Sequence, residues 1–115
     1  MEAQFKWTLK AYEEHGNLHL SWSTNAPFRA QQGQIHVYSG ESFPSNPQDK
    51  TKKWSWDNEN KPSWDTGLPW GTGWRCAYIA EKSPNGPYAY LIQLVTTAES
   101  GPNVAKREEP VLAKK

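Results

Sequence analysis

A single cysteine, Cys76, leaves this 115-residue chain without any possible internal disulfide. A secreted-type bridge framework is therefore excluded as the source of its stability, and a reducing compartment is favoured. Excess charge is missing too: 13 basic against 12 acidic residues give a formal net charge of +1. That balance removes the broad attraction on which non-specific nucleic-acid or anionic-membrane binding depends. No apolar run approaches the roughly 20 residues that span a bilayer, and Met1 to Lys10 lacks the apolar centre of a signal peptide. No transmembrane segment is expected, and a cytoplasmic or leaderless-secreted protein is favoured. No internal repeat and no sustained helical period are visible.

What the chain has instead is tryptophan, glycine and proline. Five of the seven tryptophans fall between Trp54 and Trp74, among polar residues and glycines, while mean hydropathy is only −0.91. A polar, loop-rich surface around an aromatic centre predicts short strands joined by long turns. Phe5, Trp7, Leu9 and Ala11 alternate with Lys6, Thr8 and Lys10, as a half-buried strand requires. After the polar turn at residues 13–17, Leu18, Leu20 and Trp22 alternate with His19, Ser21 and Ser23, completing a hairpin. Ile35 and Val37 share one face of a third strand, with His36 and Tyr38 on the other.

Residues 40–53, with Pro44, Pro47 and Lys50, Lys52 and Lys53, are expected to cross the surface without regular structure, pinned by Phe43. A second hairpin is predicted from Trp74 to Ala98, around the turn Ser83-Pro84-Asn85-Gly86-Pro87. Its return strand places Tyr88, Tyr90, Ile92 and Leu94 on one face and is apolar on both, which predicts a central position. The fold class is all-β: a small antiparallel β-sandwich or open barrel of roughly five to seven strands, with a long Trp/Gly/Pro-rich connection. Residues 1–98 are expected to form a single domain centred on Trp7, Trp22, Ile35, Val37, Ile92 and Leu94. Residues 99–115 carry seven charges and no period, and read as a mobile tail with a short contact through Val111 and Leu112.

Trp54 and Trp56 lie two apart, so an extended backbone puts both indoles on one side as an aromatic pair. Asp57, Asn58, Asn60 and Asp65 supply hydrogen-bonding groups beside them, with Tyr38 or Arg75 contributing from neighbouring strands. This pairing suits a sugar, whose C–H face stacks on indole while its hydroxyls take directional partners. Packing of the same indoles onto the domain is the competing explanation. Trp64 and Trp70 sit in WDTGLPWGTGW, where glycines and Pro69 predict an ordered presenting loop, and Trp74 is expected mostly in the core.

Chemistry beyond binding finds little support. The GTG of this loop lacks the lysine and hydroxyl residue of a phosphate loop. The oxygen-bearing residues 57–60 lack the spacing of a calcium loop, so no metal or cofactor is expected. His19 and His36 could approach if their strands paired, but two histidines without a carboxylate make a poor metal site. Cys76 lies within a strand and reads as a small buried residue. No pair of carboxylates is set in a cleft, and no enzyme is expected.

The expectation is a non-catalytic, lectin-like binding module for a glycan, with ligand-binding residues Trp54, Trp56, Asp57, Asn58, Asn60, Trp64, Asp65 and Trp70. One alternative is a protein-protein or self-association module, a homodimer through the tryptophan-rich loop. Another is peripheral membrane contact, with tryptophans docking among lipid headgroups as in β-sandwich toxins.

Overall fold

The structure, a computed structural model, describes residues 4–25, 33–57, 60–81, 87–97 and 103–110. Their alternating apolar positions fold into eight strands: β1 (Gln4–Glu14), β2 (Asn17–Thr24), β3 (Gln34–Tyr38), β4 (Lys53–Trp56), β5 (Ser63–Pro69), β6 (Arg75–Glu81), β7 (Tyr88–Val95) and β8 (Asn103–Pro110). Two antiparallel four-stranded sheets result, ordered β5-β2-β1-β8 and β4-β3-β6-β7. The architecture is a small β-sandwich. Its centre holds Trp7, Leu9, Leu20 and Trp22 from the first sheet and Ile35, Val37, Tyr78, Ile92 and Leu94 from the second. All six residues expected at the centre are there.

The β1–β2 hairpin closes between Glu14 and Asn17 through His15 and Gly16, with φ of 55° and 83°. Positive φ at both central residues is the geometry whose twist matches that of the flanking strands. Register then pairs Leu9 with Trp22 and Ala11 with Leu20, so the inward faces of both strands coincide.

In the second sheet β3 and β6 are the two inner strands; β3 is buried along its whole length, and β6 at all but its two end residues. The inner face of β6 carries Cys76 and Tyr78, and its outer face carries Ala77 and Ile79. That outer face is roofed by residues 40–52, which have no regular structure, as expected, while Lys53, expected with them, opens β4. Phe43 packs edge-on against Tyr38 and Tyr90, while the Tyr38 and Tyr90 hydroxyls donate to the Pro47 and Pro44 carbonyls. The sheet thus has two apolar sides, one facing its partner sheet and one under the roof.

This arrangement corrects three expectations. The return strand β7 is an edge strand, not a central one. It is apolar on both faces because the roof covers its outer side. Nor do its four large residues share a face. A bulge places Leu91 as an extra residue where Tyr78 pairs with Ile92 and Ile79 with Tyr90. Ile92 and Leu94 therefore point into the sandwich, and Tyr88 and Tyr90 turn outward. His19 and His36 belong to different sheets, so their strands do not pair.

Three strands add to those read from periodicity, the first being β4 at the Trp54–Trp56 pair. β5, within the glycine-rich stretch, pairs with β2. β8, within the segment expected as a mobile tail, pairs with β1 over eight register positions, from Gln4↔Pro110 to Ala11↔Asn103. Val111, Leu112 and most of the 83–87 turn lie outside the described residues.

Candidate functional site

The outward face of β3 is built by alternation: with Ile35 and Val37 committed to the core, Gln34, His36 and Tyr38 must face the other way. Antiparallel register then sets Trp54 of β4 beside His36, and Trp56 beside Gln34. Trp54 stacks near-parallel to the His36 ring, at 16° and 5.8 Å between centroids. It is 46% exposed and Trp56 37%, whereas Trp7 and Trp22 are 5% and 4% exposed in the core. The two outer indoles meet at 79° with centroids 5.3 Å apart. They form a corner, not the flat pair that their spacing predicts, because neighbouring aromatics favour edge-to-face contact.

Beside this corner lies an open depression of about 380 Å³, lined by Gln34, His36, Gln48, Thr51, Lys52 and Trp54. Its floor is a closed hydrogen-bond network. Gln34 Nε2 donates to Tyr88 Oη (3.3 Å), which leaves Gln34 Oε1 to accept from Gln48 Nε2 (3.3 Å) and from His36 Nε2 (2.8 Å). His36 is thereby set as the Nε2–H tautomer, and its Nδ1 accepts from the Thr51 hydroxyl (2.7 Å). Burial pushes the His36 imidazole from 6.5 down to about 4, so it is neutral near pH 7. The walls come from the roof segment, held by Lys52 N donating to the Val37 carbonyl and Asp49 N to the Asn46 carbonyl.

The site residues read from the sequence do not all gather here. Trp54 and Trp56 do. Asp57 does not: it is fully buried, with Oδ2 accepting from Tyr78 Oη at 2.6 Å. The space for it exists because Gly33 has no side chain; a Cβ there would overlap Asp57 Oδ2 and lie 2.6 Å from Cγ. Asn60 is exposed in the connection between β4 and β5, and Asn58 lies outside the described residues.

Asp65 sits on β5, in the other sheet, where its Oδ1 accepts from Gly67 N (2.9 Å) and Asn17 Nδ2 (3.2 Å). The Gly67 amide, foremost, holds its carboxyl below the ordinary value. Trp64 pairs in register with Leu20 and packs, half-buried, on the core. Trp70 and Trp74 do the same; Trp70 N donates to the Gly16 carbonyl, and Trp74 Nε1 to the Pro69 carbonyl. The glycine-rich stretch closes one part of the sandwich.

Tyr38 is buried under the roof, and Arg75 donates to the Gly40 and Gly73 carbonyls, so neither faces the depression. Cys76 is buried, and desolvation pushes its thiol up to about 12. Among the described residues, no group of three or more His, Cys, Asp or Glu is placed to hold a metal ion. Nor, among them, is any helix long and apolar enough to cross a membrane.

Gln34, His36, Gln48, Thr51 and Lys52 were missed as site residues. The outward position of Gln34 and His36 was readable from β3 alternation, but the pairing of β3 with β4 was not. No protein-family model, curated protein or solved structure matches this chain.

Proposed function

We propose that this chain is a non-catalytic carbohydrate-binding module whose binding face is the Trp54–Trp56 corner with the depression beside it. The observation that carries the reading is the coincidence of two exposed indoles with a preorganised polar floor of amides, imidazole and hydroxyl. A sugar needs both: an apolar surface for its C–H face and fixed partners for its hydroxyls. Preorganisation matters because a floor already fixed loses little entropy on binding.

A glycan array combined with tryptophan fluorescence titration tests the reading. Trp54→Ala is expected to abolish both binding and quenching, while Trp70→Ala, at a packed position, leaves any residual affinity of the folded protein unchanged. Absence of binding and of quenching by every glycan overturns it.

Self-association is the second reading, favoured by the place of β4 at an open sheet edge bearing both exposed indoles. It moves the interface from the glycine-rich loop to β4. Light scattering separates the two: a wild-type dimer that becomes monomeric on Trp54→Ala supports an interface, and a concentration-independent monomer removes it. Flotation with neutral and anionic liposomes tests headgroup docking in the same way.

A further inference from the structure

The depression holds one cation and no carboxylate. Among its lining residues only Lys52 carries charge near pH 7, since His36 is neutral there. Among the described residues the Lys52 ammonium has no ion-pair partner. Lys53, its neighbour, is directed elsewhere: it pairs with Val37 in register, and its Nζ lies 3.4 Å from the position a Cβ would take at Gly67 on β5. Lys52 is therefore the single source of positive charge among residues that otherwise offer amides, a hydroxyl, a neutral imidazole and an indole.

The corner geometry limits what can lie there. Two indoles at 79° cannot both stack on one flat run of sugar rings, as an extended chain on a level aromatic strip would require. One can receive a ring while the other closes its side. A volume of about 380 Å³ is small for a ligand site, near the lower end of the roughly 300–1,000 Å³ that such pockets span.

Resting on the carbohydrate-binding reading above, we infer that this site takes a single carboxylate-bearing sugar ring, with Lys52 meeting the carboxylate and Trp54 the ring. An uncompensated ammonium meets a full opposite charge in such a ligand, with both hydrogen-bond partners ionised, and only a neutral hydroxyl acceptor in its uncharged counterpart. Recognition is of one terminal ring, so added rings in the same chain contribute little.

Matched sugars that differ only at C6 test this. Methyl glucuronide against methyl glucoside, and methyl galacturonide against methyl galactoside, are titrated by tryptophan fluorescence and calorimetry into the full chain, alongside Lys52→Gln and Trp54→Ala. In at least one pair the uronide is expected to bind about tenfold tighter, with an advantage that shrinks as salt is added and is lost in Lys52→Gln. Lengthening the uronide from one ring to four is expected to change affinity by no more than about threefold, well under 1 kcal/mol. Equal or tighter binding of the neutral sugar in every pair overturns the inference, as does a preference that survives Lys52→Gln or a tenfold gain with chain length. If neutral sugars bind and Trp54→Ala abolishes that binding, the carbohydrate reading stands and only the acidic specificity falls. If no sugar binds, both fall.

Discussion

Gly33 and Asp57 belong to one packing decision: a buried carboxylate fills the volume that any side chain at residue 33 would need. Gly33→Ala is expected to destabilise the fold by about 1–3 kcal/mol, the usual cost of overpacking, as read from urea unfolding. Tyr78→Phe, which removes the donor to Asp57 Oδ2 without adding volume, separates the hydrogen bond from the steric effect.

His36 makes a second residue-scale prediction. Its folded pKa of about 4 lies below the ordinary 6.5, so between those values the unfolded chain binds more protons. Its contribution to stability is then complete above about pH 6.5 and is lost progressively as pH falls toward about 4. The unfolding midpoint should drop across that window in the wild type, and less steeply in His36→Gln.

At the scale of elements, the β1–β2 turn depends on Gly16, whose φ of 83° is open to glycine and costly for other residues. A Cβ there meets nothing within 4 Å, so Gly16→Ala isolates the backbone cost. About 1 kcal/mol of lost stability is expected by thermal or chemical unfolding, without change in the fold.

This hairpin, and β3 and β6, were legible because one face of each alternates against the core or is fully buried. β7 was read as a strand but misplaced, since burial beneath a roof and burial between strands produce the same two-sided apolar pattern. The site was legible only in Trp54 and Trp56. Asp57 looked like a surface partner because its polar neighbours hid its turn inward, and Lys52 looked like one member of a lysine cluster. Nothing in local sequence tells which of Lys52 and Lys53 lines the depression; the pairing of Lys53 with Val37 does.

Across the whole molecule, the sheets are completed by a segment with little apolar content. β8 covers the free edge of β1 through its backbone, a contribution to which hydrophobic periodicity is blind. Arg107 also reaches the second sheet, donating to the Leu91 carbonyl at 3.2 Å. Removing residues 99–115 is therefore expected to destabilise the protein by several kcal/mol, at about 0.5–1.5 kcal/mol for each ladder hydrogen bond lost. The freed β1 edge should also promote aggregation, visible in light scattering; an unchanged urea midpoint would return the segment to the status of a tail.

The corner of Trp54 and Trp56 has an optical consequence as well. Two identical chromophores 5.3 Å apart, with planes inclined at 79°, share their excited states and absorb left- and right-handed circularly polarised light unequally, with opposite sign on either side of their common absorption band. The site carries its own label, a paired signal of opposite sign in circular dichroism that disappears in Trp56→Phe and reports any ligand that turns one ring relative to the other.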